Sequence, residues 1–385
     1  MPGEAFIIAA KRTPIGRRGG GLAAVPIEDL LAPLILALVA ETGIDPDEID
    51  DVIVGNAAGP GGNPARLAAL QAGLPVDVPG VSVDRQCGSG LEAVNLAAAR
   101  IRAGDGDVYL AGGAESPSTA PLRARRDKDG DLTFYPRARF APDAIGDPDM
   151  GVAAENVARQ CGISRERQDA FALASHQKAC AAMADARLAA EIVPLDTPGG
   201  RVSVDACPRP DTSLDALAAL PPVFVKDGTV TAGNACPVND GAALVCVVSA
   251  RMAERLAPSV ALSFIGGAAR GVDPNVLGLG PVASTRTLLE RNPGLSLDGI
   301  EHIEFNEAFA AQVLGSLDAL AIDAARVNSD GGALAFGHPW GASGAFLVVR
   351  LFSQMVRRTD RRTRRGLAMI GIGGGLGISS LFETA

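Results

Sequence analysis

Histidine, tryptophan and tyrosine are scarce in this chain. Its 385 residues include three histidines, one tryptophan and two tyrosines, and aromatics make up 4%. Any chemistry that needs an imidazole is confined to His176, His302 and His338. Cysteine is present six times, at 87, 161, 180, 207, 236 and 246, but never as a CxxC pair. That spacing excludes a zinc ribbon or a disulfide framework and fits reduced thiols in a cytosolic protein; no metal ligands are expected. Excess positive charge is also missing. A net charge of −9 argues against a general nucleic-acid binder. No apolar run is long enough to span a bilayer: Ala5–Ala10 is short and reads as a first strand, and Leu30–Ala40 is interrupted by Pro33 and reads as a buried helix. No basic residue precedes Ala5–Ala10, so no signal peptide is expected and the protein is expected in the cytoplasm, off the membrane.

Glycine, by contrast, is abundant at 46 residues, and hydrophobic content is 47%. The length calls for two or more cores. The first half reads as strand, Gly-rich loop, helix 27–42 stopped by Gly43, polar turn and strand, ending at Ala57. The second half repeats this in register. Gly43 matches Gly294, Asp47 matches Asp298, Ile49 matches Ile300, Val52 matches Ile303 and Ala57 matches Ala308, at a constant offset of 251 residues. Gly88-Ser89-Gly90 with its helix and strand recurs at Gly341–Gly344, offset 254. The chain therefore reads as two duplicated α/β halves with mixed sheets. Residues 117–233 have no second copy and read as an insertion suited to holding a ligand over the core. The expected division is 1–116 plus 234–257, 117–233, and 258–385. The basic run 357–365 reads as a solvated helix end and loop.

Two loops stand out chemically. In Val81-Ser-Val-Asp-Arg-Gln-Cys-Gly-Ser-Gly-Leu91 a strand turns into a helix at Cys87. A helix N-terminus favours a thiolate, and the following glycines would let another molecule approach the sulfur. The same cysteine could also be a buried structural one, and this stretch alone does not choose. His338 lies in a turn crowded with glycine, which suits backbone packed around a ligand rather than a packing histidine. His176 and His302 read as structural or surface residues.

Taken together, the Cys87 block, Asn306-Glu-Ala-Phe, and Gly331-Gly-Ala-Leu-Ala-Phe-Gly-His-Pro-Trp-Gly-Ala-Ser-Gly344 resemble the thiolase family. So do Gly228-Thr-Val-Thr-Ala-Gly-Asn-Ala235 and Asn239-Asp-Gly-Ala-Ala243. The resemblance covers essentially the whole chain. It implies the thiolase fold: two similar α/β core domains, layered α-β-α-β-α, with an inserted loop domain, assembled as homodimers or homotetramers. It also implies acyl transfer on coenzyme A thioesters, as substrates rather than covalently held cofactors, by 3-oxoacyl-CoA thiolysis or acyl-CoA condensation. Cys87 would be the acylated nucleophile, and His338 would activate it. His338 and a water held by Asn306 would line one oxyanion hole; the backbone N–H groups of Cys87 and Gly373 would form another. Coenzyme A would lie on the loop domain. Arg209 would meet its nucleotide end, and Met150, Ala232, Cys236 and Phe309 would line the pantetheine path. Cys236 stands where many relatives have serine, and Asp149 where some biosynthetic relatives have histidine.

One position departs from the pattern. Thiolases usually carry a second reactive cysteine, the acid/base for the α-proton, in a Cys-x-Gly-Gly-Gly block. Here Met369-Ile-Gly-Ile-Gly-Gly-Gly375 places Gly371 there. A positioned base contributes about 10²–10⁴-fold. None of the other cysteines lies in a strand-end glycine motif, which argues against a replacement from among them. Three readings follow: a working thiolase that moves this proton by other means, a specialised acyltransferase or decarboxylative condensing enzyme, or a degenerate thiolase serving as an acyl-CoA-binding scaffold.

Overall fold

The computed structural model describes residues 3–358 and 364–385. The first half runs β1 (Ala5–Arg12), β2 (Gly16–Arg17), α1 (Ile27–Thr42), β3 (Asp51–Gly55), α2 (Pro64–Gln71), β4 (Gly80–Val83), α3 (Ser89–Ala103) and β5 (Val108–Glu115). Between β5 and the next core strand lie β6 (Arg123–Arg126), β7 (Leu132–Tyr135), α4 (Met150–Cys161), α5 (Arg165–Ala184), β8 (Leu195–Thr197), β9 (Gly200–Val202) and α6 (Leu214–Ala218). Then β10 (Asn239–Ser249) and α7 (Ala250–Leu256) complete the first half. The second half is β11 (Leu262–Gly271), α8 (Gly280–Glu290), β12 (His302–Phe305), α9 (Ala310–Leu320), α10 (Ala333–Phe336), α11 (Trp340–Phe352), β13 (Arg365–Ile372) and β14 (Leu376–Thr384).

The repeat read from the sequence is a repeat of topology. In the first half β3 pairs parallel with β5, β5 antiparallel with β10, and β10 antiparallel with β1. In the second, β12 pairs parallel with β13, β13 antiparallel with β14, and β14 antiparallel with β11. Even a bulge recurs, between Ile7 and Ala9 in β1 and between Phe264 and Gly266 in β11. The half sheets join through two residue pairs between β1 and β11, so hydrogen bonding runs through one ten-stranded sheet. Where the first half has β4 as its edge, the second keeps only a single bridge, Ile303 with Val327.

Alternation along the strands makes the layers. In β3, Ile53 faces a central core while Val52 and Val54 face an outer one under α1 and α2. In β13, Ala368, Ile370 and Ile372 face the same central core while Leu367 and Met369 face α8 and α9. The central core holds α3 and α11, which both halves share. These two helices meet through glycine: a Cβ on Gly90 would crowd Ala345 N at 2.9 Å, and one on Gly344 would collide with Leu91. The result is five layers, α-β-α-β-α.

Helix α1 begins and ends where the sequence places it, with Gly43 left-handed at φ 67°. It runs through Pro33. Helix α5 stops at Ala184, where the chain turns over 185–190 and Ala186 adopts φ 54°. Of the basic run, 359–363 lies outside the described residues. Arg357 and Arg358 are not simply solvated: Arg357 bonds the Ala10 carbonyl (2.7 Å) and Arg358 pairs with Asp330 (2.6 Å). Arg358 thereby joins a buried ion network that ties the insertion to both halves. Arg12 on β1 bonds Glu191 (2.7 Å) and Asp205 (2.7 Å), while Arg350 on α11 pairs with Glu191 and Asp330.

Candidate active site

Cys87 sits in the turn between β4 and α3, half-buried. The turn is tight. Gln86 adopts φ 44°, unusual for a residue with a side chain. Ser89 locks it, donating to Gln86 O (2.6 Å) and accepting from Arg85 N (2.8 Å). Two expectations change here. Gly88 and Gly90 do not clear a path to the sulfur. A Cβ on Gly88 would collide with Ile372, and one on Gly90 would lie 2.8 Å from Gly341 O, so both glycines serve the contact with the second half. Nor is the thiol a ready thiolate. Burial pushes it up to about 12, although the N–H groups of Gly373 and of Cys87 itself work the other way. Desolvation outweighs the helix terminus because the sulfur lies inside the packed turn.

His338 follows Gly337 and is 2% exposed. Its backbone N–H donates to Asn239 Oδ1 (2.9 Å), and residue 338 bridges Val238. Its Nδ1 lies 2.6 Å from Ser343 Oγ, whose hydroxyl donates to Pro339 O (3.1 Å). The single Ser343 hydroxyl proton is shared between these two acceptors; the tautomer in which it goes to Pro339 O leaves the hydrogen on Nδ1 and a lone pair on Nε2. Nε2 is buried and has no partner. Burial drives the imidazole down to about 3, so it stays neutral.

Asn306 closes β12 and is 3% exposed; its backbone N–H bonds Met369 O (3.0 Å). Its Nδ2 is buried without a partner. An unpaired buried donor costs about 1–3 kcal/mol, so Nε2 of His338 and Nδ2 of Asn306, which have no protein partner, are open to a water or a ligand. The neighbouring Glu307 is different. Ser175 Oγ (2.7 Å), Asn328 Nδ2 (2.7 Å) and Leu334 N (3.1 Å) all donate to it, which makes it structural. Gly371 lies on β13, and a Cβ there would sit 3.3 Å from Gln312 Nε2, whose buried amide also has no partner.

A cavity of about 350 Å³ opens beside these loops, lined by Arg17, His176, Arg209, Phe224, Ala232 and Cys236 among others. Of the expected coenzyme residues, Arg209, Ala232 and Cys236 line it. Met150 and Phe309 stand one layer behind. Phe309 packs edge-on against Phe224 (6.0 Å), and Met150 opens α4 next to Gly151, which abuts the Phe224 ring. Cys87, His338 and Asn306 do not line the cavity; Cys236 connects the two, lining the cavity and lying within electrostatic reach of Cys87. Sequence reasoning missed Ser343, Arg17 and His176. Of the two alternatives expected for His176, structural or surface, it is the buried structural one: its Nδ1 accepts from Arg209 N (3.1 Å), and burial, then Arg209, lowers it to about 4. Ser343 was visible only as a repeat landmark, five residues beyond His338. His302 is half-buried in β12 and does not line the cavity.

Residues 5–251 match the family pattern described as thiolase, N-terminal domain, and residues 260–384 match thiolase, C-terminal domain. An acetyl-CoA acetyltransferase of Pseudomonas aeruginosa is 44% identical over 389 residues, covering 98% of each chain. One from Chromobacterium violaceum is 44% identical over 393 residues, covering 99% of each. The crystal structure of the Bacillus anthracis acetyl-CoA acetyltransferase superposes with a TM-score of 0.92 at 35% identity, covering 100% of this chain and 99% of that one. With two domain patterns spanning nearly its length and these relatives, the chain belongs to the thiolase family of acyltransferase enzymes.

Proposed function

We propose that this protein transfers acyl groups between coenzyme A thioesters through a thioester on Cys87. The observation that carries the reading is the pair of buried atoms without a protein partner, His338 Nε2 and Asn306 Nδ2, on the loops that flank residues 234–239, together with a Cys87 thiol that faces the Gly373 N–H. His338 is neutral with its lone pair on Nε2, the state needed to take the Cys87 proton. The thiolate then attacks the thioester carbonyl, and coenzyme A leaves with the proton from Nε2. On this reading the N–H groups of Cys87 and Gly373 hold the developing oxyanion, and Asn306 with His338 holds a second one through a water. A thiol kept protonated by burial is consistent with activation only when substrate arrives.

Residues 117–233 form, on this reading, the loop domain that carries the coenzyme, with the two flanking divisions as the core domains. Arg17 and Arg209 supply charge for its phosphates in an otherwise acidic protein. Ala232, Gly233 and Ala235 give the cavity a narrow wall suited to pantetheine. The acyl-CoA is substrate, and among the described residues no cluster of His, Cys, Asp or Glu gathers to hold a metal. Six free cysteines suit a reducing compartment, and we place the protein in the cytoplasm. No helix of the described residues is long and apolar enough to cross a membrane. A homodimer or homotetramer is supported by the free edge at β4 and by exposed Leu122, Leu132 and Phe134.

The carbon–carbon step is 3-oxoacyl-CoA thiolysis or its reverse. A second reading, transfer alone or decarboxylative condensation, draws on Gly371, which offers no titratable group. A scaffold is disfavoured because it has no need to leave buried donors and acceptors unpaired. Mass spectrometry after incubation with acetyl-CoA tests the proposal: an acetyl adduct on Cys87 is expected, and a folded protein that never gains one leaves only the scaffold.

A further inference from the structure

Nothing on residue 371 can move a proton, yet the site holds a second thiol that its position in the sequence did not reveal. Residues 234–239 thread between the two loops that carry Asn306 and His338. On one side Ala235 bridges Phe309, Cys236 N donates to Ala308 O (3.0 Å), and Ala310 N donates to Asn234 O (2.9 Å). On the other side Val238 bridges His338, and Asn239 accepts the His338 N–H. Cys236 is thus pinned in the middle of the constellation, on the wall of the substrate cavity and within electrostatic reach of Cys87. The unpaired Nε2 of His338 and Nδ2 of Asn306, both more than nine-tenths buried, belong to the loops on either side of it.

Resting on the acyl-transfer reading above, we propose that Cys236 is the acid/base for the α-carbon, in place of the side chain missing at 371. In thiolysis His338 Nε2 takes the Cys87 proton and the Cys87 sulfur bonds the 3-oxo carbon. The bond between that carbon and the α-carbon breaks, leaving the electron pair on the α-carbon. The Cys236 S–H donates its proton there, releasing acetyl-CoA and leaving a Cys236 thiolate. An incoming coenzyme A thiol gives its proton to that thiolate and attacks the acyl-Cys87 carbonyl; the expelled Cys87 sulfur recovers its proton from His338. Atoms and charge balance with no added co-reactant. The groups that face Cys236 fit a donor that rests as the thiol: burial and the nearby Cys87 and Glu307 all push it up.

The test compares two rates in one protein: acetylation of Cys87 by acetyl-CoA, read by mass, and thiolysis of acetoacetyl-CoA. Cys236→Ser keeps the size and a hydrogen-bonding hydroxyl but removes the thiol, and Cys236→Ala is the second variant. The expected result is a fall of about 100-fold or more in the ratio of thiolysis to acetylation, with recovery when Gly371→Cys is added to Cys236→Ser. An unchanged ratio in both single variants overturns the proposal, as does a wild-type protein that acetylates Cys87 but never cleaves acetoacetyl-CoA. A wild type that fails to acetylate Cys87 instead overturns the acyl-transfer reading on which the proposal rests.

Discussion

Each half carries a buried polar side chain at a strand end, Glu115 after β5 and Asn306 after β12, and the two are treated in opposite ways. At the end of β5 in the first half, buried Glu115 is saturated. It accepts from Asn56 Nδ2 (2.9 Å), Ala57 N (3.0 Å), Ala58 N (3.1 Å) and Gly341 N (3.0 Å). The last of these belongs to α11, so the first half clamps the start of the helix that follows His338. At the end of β12 in the second half, Asn306 keeps its Nδ2 unpaired. The first half therefore uses its buried strand-end carboxylate as a structural clamp, while the second leaves its strand-end amide nitrogen without a protein partner. A buried polar group lowers the energy of the fold only when it is paired; left unpaired, its capacity is reserved for whatever binds.

The largest effect expected is on Cys87. Cys87→Ala should lower acyl transfer roughly 10⁴-fold, read by exchange of labelled coenzyme A into acetyl-CoA. The comparison of strand ends is tested by a pair of variants. Asn306→Ala should slow acylation about 10²–10³-fold with a melting temperature close to wild type, since its Nδ2 bonds no protein group. Glu115→Ala should do the reverse, costing at least about 3 kcal/mol by stranding several backbone donors, measured by urea denaturation. If the two variants behave alike, the contrast between the halves is wrong.

Smaller effects concern pH. Alkylation of Cys87 by iodoacetamide should be slow at pH 7 and still rising above pH 9, because burial holds the thiol at about 12. A plateau near neutrality would mean a thiolate paired with His338. Stability should fall in acid through the ion network. Burial alone would raise Glu191 and Asp330, yet Arg350 and Arg12 bring Glu191, and Arg358 and Arg350 bring Asp330, down to about 2. Both carboxylates lie below their unfolded values, so their contribution is complete above about pH 4.5 and is lost as pH falls toward 2. Asp330→Asn should flatten that part of the urea-midpoint profile.

The first helix and its Gly43 stop, the paired strands and the duplicated register were all legible because they rest on local chemistry: side-chain period, glycine at positive φ and turn residues. Cys87 and His338 were legible because each sits in a tight turn with glycine neighbours. Arg17 and Ser343 were not, since neither carries a local signal and both matter only through what lies beside them. Gly88 misled for the same reason: the space its missing Cβ leaves open is filled by Ile372, nearly 300 residues away in sequence.

The sequence by itself determined the two-copy architecture, the family, and the absence of a titratable side chain at 371, because each is written in residue identity and spacing. Only the tertiary structure decided that burial pushes the Cys87 thiol up, that His338 Nε2 has no protein partner, and that Cys236 stands between the loops of Asn306 and His338. Desolvation and hydrogen-bond pairing depend on neighbours in space, and no spacing along the chain encodes them.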